Sequence, residues 1–123
     1  MISVPGPLYL VFANVREGAS DDEFNRWYSD NHVPHALALD GWEAGTRYRA
    51  WPRRAEADVG SQNRPSHQYL CVYEWAEGDP RQRLDALHRG LASGAVDVSP
   101  TLSTGDLRGY VYLPISERIV GQA

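Results

Sequence analysis

Residues 20–41, SDDEFNRWYSDNHVPHALALDG, constrain the fold more than any other stretch of the chain. Ser20 followed three positions later by Glu23 is a capping-box pattern, in which the Ser20 hydroxyl accepts from the Glu23 amide. Asp21, Asp22 and Glu23 add negative charge at the positive end of the helix dipole. Spacings of three and four put Phe24, Trp27, Tyr28, Asn31 and His32 on one face. Asn25, Arg26, Ser29 and Asp30 form the opposite, solvent face. Pro34 has no amide hydrogen and crowds the preceding turn, so it predicts a kink or a fresh turn that runs on through His35 to Leu39 and stops at Gly41. A kink leaves the Asp30 carbonyl without its usual partner and lets His32 face a cavity. The plainer alternative makes Phe24, Trp27 and Tyr28 core and His32 a hydrogen-bonded edge residue.

The other elements can be taken in chain order. Leu8 to Val15 is an unbroken apolar run between Pro5-Gly6-Pro7 and Arg16-Glu17-Gly18, the pattern of a strand buried on both faces. Glu43 to Trp51 reads as a second strand, with Thr46, Tyr48 and Ala50 on one face and Arg47, Arg49 and Trp51 on the other. Pro52 to Ser66 is a long polar loop, either a lid over a pocket or a mobile connection. His67 to Trp75 is a third strand with Tyr69, Cys71, Tyr73 and Trp75 sharing a face. Asp79-Pro80 starts a second helix, Leu84, Leu87 and Leu91 form its apolar stripe, and Gly94 ends it. His88 sits at the boundary of that stripe. After a turn-rich connection, Leu107 to Ile115 is the last strand, and Pro114 stops its ladder.

The order β-α-β-β-α-β is the split βαβ motif. It predicts an α+β, ferredoxin-like domain spanning residues 1–123: one four-stranded antiparallel sheet with two helices on one face. The first strand is apolar on both sides, so the uncovered face predicts a homodimer packed sheet to sheet. Glu23-Phe24-Asn25-Arg26-Trp27-Tyr28, His32-Val33-Pro34, Gly41-Trp42 and Arg47-Tyr48 together resemble the EthD-like branch of the dimeric α/β-barrel superfamily. The match covers the first half of the chain; the second half agrees in strand order. The resemblance implies a barrel-like dimer, a pocket between helices and sheet, functional roles for His32 and Tyr48, and an activity of the kind that many members of the family carry out without a cofactor.

Several classes are disfavoured. A net charge of −4 argues against a nucleic-acid footprint. No apolar run approaches the roughly 20 residues needed to span a bilayer. A lone cysteine, Cys71, forms no internal disulfide or thiolate cluster. With no basic start or small-residue cleavage pattern at the N-terminus, a cytoplasmic protein is expected. Dinucleotide, P-loop, nucleophile-elbow and zincin motifs are absent.

Seven tyrosines against two phenylalanines is a high ratio, and tyrosines lining a slot would suit a planar aromatic or cyclic small molecule. The alternative leaves their hydroxyls in water at sheet edges and the dimer seam. His32 is the expected general acid or base, since imidazole titrates near working pH. Tyr28 is placed to orient it or to donate to a carbonyl, and Asn31 to stabilise an enolate. The expected substrate contacts are Phe24, Trp27 and His35, Arg47 or Tyr48 according to which strand face looks inward, and Tyr69 or Tyr73, with Tyr110 or Tyr112 as a further wall. The resulting expectation is a cofactor-independent cyclase, isomerase or dehydratase acting on a carbonyl compound, with no metal. The rival readings are a monooxygenase, cofactor-free or binding haem through His32, His35 or His67, and a non-catalytic small-molecule-binding protein. A site of Asp30, His32, His35 and His67 is the metal alternative.

Overall fold

The computed structural model describes residues 5–58 and 62–122 of the chain. Strand β1 (Leu8–Ala13) leads into helix α1 (Asp21–Trp27), which passes without a break through a π turn (Tyr28–His32) into helix α2 (Val33–Leu37). Strands β2 (Trp42–Arg49) and β3 (Tyr69–Trp75), helix α3 (Pro80–Ser93) and strand β4 (Arg108–Tyr112) complete the domain. The strands form one antiparallel sheet in the order β2-β3-β1-β4. This is the expected α+β, ferredoxin-like arrangement.

Local chemistry sets the helix boundaries. Ser20 caps α1, its hydroxyl accepting from the Glu23 amide at 3.2 Å. Asp79 caps α3 by accepting from the Arg81 amide at 3.0 Å, with Pro80 in the first turn, where a missing N–H leaves nothing unpaired. Gly94, at φ +81°, ends α3 in the left-handed conformation that glycine adopts most easily.

Pro34 acts one turn ahead of itself. Its absent amide cannot pair with the Asp30 carbonyl, and the helix widens into the π turn, in which the Val33 amide donates to the Tyr28 carbonyl. The extra residue in this turn rotates every side chain after it about the helix axis. Beyond Tyr28 the next buried positions are Val33 and Ala36, and Asn31 turns out to solvent. The expectation that Asn31 shares the Tyr28 face is corrected by this change of period.

Register determines which side chains look towards the helices. Tyr9 lies opposite Tyr73, Val11 opposite Cys71 and Ala13 opposite Tyr69. These side chains, with Trp75, pack on the helical arm and form the core around Phe24, Trp27, Tyr28 and Trp42. A bulge between Trp42 and Ala44 shifts the parity of β2. Trp42 therefore points inward, as do Gly45 and Arg47, whereas Tyr48 points outward and is 53% exposed. Tyr48 is thus on the opposite face from the one its expected substrate role requires. Tyr110 and Tyr112 are on that outer face too, at 48% and 58% exposure, beside Leu10 and Phe12.

Loop residues 52–58 and 62–66 fold over the end of the sheet near Asn14 and Gln68, where the Arg54 amide donates to Gln68 Oε1 at 2.6 Å. Residues 59–61 of the same loop lie outside the described residues.

Candidate active site

Between α3, the helical arm and the inner face of the sheet lies an apolar cavity of about 230 Å³. Its floor is Tyr9, Val11, Trp42 and Tyr73. Tyr28, His32 and Ala36 form one wall, and Leu87, His88 and Leu91 the other. Val98, Leu102, Thr104 and Leu107, from the connection after α3, close the remaining side. Of the leucine stripe of α3, Leu84 packs against the core, while Leu87, half-buried, and Leu91, exposed, line this space. Gly109 on β4 also shapes it. A Cβ there would collide with the Tyr9 hydroxyl, so the glycine lets that phenol lie across the strand.

His32 is the principal titratable group of the cavity. Its Nδ1 lies 2.9 Å from the Asp97 carbonyl oxygen. A carbonyl can only accept, so Nδ1 carries the proton and Nε2 keeps its lone pair. Among the described residues no hydrogen bond reaches Nε2. Burial pushes the imidazole below its ordinary pKa, and the opposing pull of the Asp97 carbonyl is the weaker effect. The ring is held edge-on by Tyr28 and tilted against Trp27, at centroid distances of 4.9 and 4.8 Å.

The phenols around it stay protonated. Burial raises Tyr9, Tyr28 and Tyr73, the last two steeply. Tyr73 Oη is sealed from solvent and, among the described residues, no hydrogen bond closes on it; the Tyr28 phenol and the Cys71 thiol are the polar groups that bear on it. Burial also pushes the Cys71 thiol up to about 11, so it is a neutral core group and not a nucleophile.

The structure divides the expected site residues into three groups. Tyr28, His32 and Tyr73 line the cavity. Phe24, Trp27, Arg47 and Tyr69 lie beside it in a cluster of their own. There Arg47 sits 4.4 Å from the Tyr28 ring centre and donates to Asn25 Oδ1 at 2.9 Å and Ser29 Oγ at 3.0 Å. In the same cluster Tyr69 donates to Asp21 at 2.6 Å and Phe24 is completely buried. Arg47 therefore ties α1 to β2 through its two terminal nitrogens, while its buried Nε meets no hydrogen-bond partner among the described residues. Asn31, His35 and Tyr48 lie outside the cavity, His35 exposed and paired with Asp97 Oδ1 at 3.1 Å.

The histidines do not converge. His67 packs on the outer-face residue Phe12, donates from Nε2 to the Asp106 carbonyl at 2.6 Å and accepts at Nδ1 from Ser66. No three His, Cys, Asp or Glu side chains among the described residues gather into a potential metal site. At about 230 Å³ the cavity falls below the roughly 300–1,000 Å³ of drug-sized pockets. No helix among the described residues is long and apolar enough to cross a membrane.

Sequence reasoning missed Tyr9, Trp42 and Thr104 as lining residues, treated His88 as a boundary residue, and did not single out Asp97. The adjacency of His88 to the leucine stripe was a usable signal, whereas Asp97 carried none.

A four-stranded antiparallel sheet covered on one face by two helical segments, with an apolar cavity between helices and sheet, defines a small ferredoxin-like α+β domain. An EthD (ethyl tert-butyl ether D) family protein from Bacillus halodurans shares this fold, with a TM-score of 0.54 and 17% identity over 89% of this chain and 99% of that one. A candidate monooxygenase from Shewanella loihica aligns with a TM-score of 0.47 and 16% identity, over 98% of this chain and 100% of that one. The sequence matches no family model and no curated protein significantly.

Proposed function

We propose that the protein moves a proton on a cyclic or aromatic carbonyl compound, with His32 as acid and base. One observation carries this reading. Among the described residues, the nitrogen of His32 left without a partner is the basic one, and its ring forms part of the wall of an apolar cavity. With the imidazole pKa depressed, the base is free at neutral pH. His32 Nε2 would take the proton from the carbon next to the carbonyl. The C–H electron pair then moves into an enolate, whose oxygen accepts a hydrogen bond from Tyr28. Where that enolate is conjugated to a further C=C, return of the proton to the far carbon of the conjugated system completes an isomerisation with no net oxidation. A buried hydroxyl without a partner costs roughly 1–3 kcal/mol. Donation from Tyr73 to Tyr28 as the ligand binds would recover part of that and strengthen Tyr28 as a donor.

The test is solvent-deuterium exchange into small cyclic ketones and phenol tautomers, followed by mass spectrometry, with wild type and His32→Gln. Exchange in the wild type that is lost in the variant is expected. Equal exchange in both would remove His32 from the chemistry. Oxygen uptake with a phenolic substrate would favour the monooxygenase reading.

The proposal includes a homodimer. The outer face presents Leu10, Phe12, Leu70 and Val72, flanked by exposed Tyr48, Tyr110 and Tyr112. Phe12 and Tyr110 already pack at 6.1 Å between centroids. An apolar face of this extent suits a second copy of the same sheet.

A further inference from the structure

Asp97 is the residue of the 94–98 connection that meets the helical arm at three points. Its backbone carbonyl accepts from His32 Nδ1–H at 2.9 Å. Its carboxylate accepts from His35 Nδ1–H at 3.1 Å through Oδ1 and from the Trp27 indole N–H at 3.2 Å through Oδ2. The three partners come from α1, the π turn and α2, so one residue spans the widened part of the helix.

The chain folds here for identifiable reasons. Gly94 reverses the backbone after α3. The Val96 amide then donates to the Gly90 carbonyl at 3.0 Å, and the Val96 side chain is fully buried over Gly90, where a Cβ would stand 2.9 Å from it. This seat anchors position 96 and leaves position 97 facing the arm. Burial pushes the Asp97 carboxyl upward, but the bonds from His35 and Trp27 outweigh it and hold it below the usual carboxylate range. The group is therefore an anion, an acceptor at both oxygens, at any pH where His32 is a free base.

We propose that Asp97 is a positioning residue: its carboxylate pins the connection to Trp27 and His35, and the carbonyl so placed holds His32 in the tautomer that presents Nε2. Its side chain does not line the cavity, so it acts through His32. The inference rests on the acid–base role of His32 for its functional meaning, though the tautomer it predicts exists without any substrate.

Nitrogen-15 NMR of the full-length labelled protein reads the tautomer directly, and comparison with His32→Gln assigns the His32 signals among the four histidines. The wild type is expected to show His32 as one species, protonated at Nδ1. Asp97→Ala should give a mixture of both tautomers and lower kcat for proton exchange by up to about 100-fold with little change in KM. Asp97→Asn, which keeps an acceptor for the indole, should restore most of the single species. A folded Asp97→Ala protein with His32 still wholly protonated at Nδ1 would overturn the proposal. Should Asp97→Ala fail to fold, His35→Ala removes one exposed carboxylate partner and should show a minor second tautomer; none appearing would overturn it equally. Loss of the single tautomer with exchange unaffected by His32→Gln would sink the reaction but leave the positioning role standing.

Discussion

Replacing Tyr73 with phenylalanine should stabilise the protein, the reverse of what deleting a hydrogen-bonding group from a core usually does. Tyr73 stands in the middle of β3 on the inner face, 2% exposed, with its ring 5.1 Å from Trp42 and 6.3 Å from Tyr9. The substitution keeps all of that ring packing and removes one oxygen, so no cavity large enough to matter opens. What it removes is a buried hydroxyl on which no hydrogen bond closes among the described residues. Leaving such a group unsatisfied costs roughly 1–3 kcal/mol, against a few tenths lost with the oxygen's own contacts. A net gain of about 1 kcal/mol is expected. For a chain of this size that corresponds to a rise in Tm of roughly 3–5 °C.

Urea unfolding followed by tryptophan fluorescence measures the difference, with the m-value serving as a check that the denatured state has not changed. The sign decides. If the phenol in fact donated to Tyr28 or Cys71, the variant would lose roughly 0.5–1.5 kcal/mol and its midpoint would fall. A lowered midpoint at unchanged m would refute the description of Tyr73 as unpartnered. A cycle with Tyr28→Phe extends the test, since uncoupled substitutions should add to within about 0.5 kcal/mol. The same variant should weaken catalysis, because the hydroxyl is needed only once a ligand draws on Tyr28.

Other outcomes are equally specific. His32→Ala should lower kcat/KM by roughly 10²–10⁴, the usual worth of a positioned base, with unchanged circular dichroism; an unaltered rate would remove it from the mechanism. The pH profile of kcat/KM should be flat through neutrality and fall only below the ordinary imidazole range, because burial lowers the His32 pKa. For stability the same group binds a proton more readily unfolded than folded, so its contribution is fully present above the unfolded pKa and is lost as pH falls through the folded one. Denaturation midpoints that rose on acidification through this window in the wild type, relative to His32→Gln, would contradict that sign. Cys71, pushed up to about 11, should resist iodoacetamide at pH 8 in the native state and react on unfolding; rapid native labelling would show an exposed thiol. Leu10→Lys, on the outer face opposite Val72 and Tyr110, should leave the monomer folded and abolish the dimer in sedimentation at micromolar concentration; a wild type that sediments as a monomer would end the sheet-to-sheet proposal.

How much of this was legible in the sequence depended on the range of the forces involved. Ser20, Asp79, Pro80 and Gly94 act within one turn of themselves, and the helix starts and the Gly94 stop they imply are those observed. The alternation of Tyr69, Cys71, Tyr73 and Trp75 was equally readable, because a strand with one face on a core has a strict period of two. The order of elements then left few topologies open, and the ferredoxin-like sheet was among them. The readings that failed carried a period across an irregularity. Asn31 was placed by helical spacing that the π turn interrupts. In β2 the two faces were correctly separated and the choice between them stayed open; the bulge after Trp42 decides that Arg47, and not Tyr48, looks inward.

The two irregularities do the same thing by different means. Each adds one residue to a regular element and so turns the later side chains to a new face. At Pro34 the addition lets Tyr28 stay in the core while His32, four residues on, comes to the cavity wall with its Nδ1 turned to the next layer of chain. In β2 it buries Trp42 in the cavity floor and sends Arg47 beneath α1, where it braces the segment that carries His32. Neither effect can be produced by the helix or the strand alone. Asp97 completes the arrangement from a third element, and its role was invisible in the sequence because it depends on Val96 finding the gap above Gly90. A substitution that restored regular period to the π turn, such as Pro34→Ala, should therefore act on the site before it acts on the fold. With an amide back at position 34, the α-helical bond to the Asp30 carbonyl becomes available, the helix gains intrinsic propensity, and His32 rotates off Asp97. The expected result is a protein no less stable than wild type whose His32 loses its single tautomer and its rate advantage together. A Pro34→Ala variant with wild-type exchange kinetics would show that the π turn is not what positions the base.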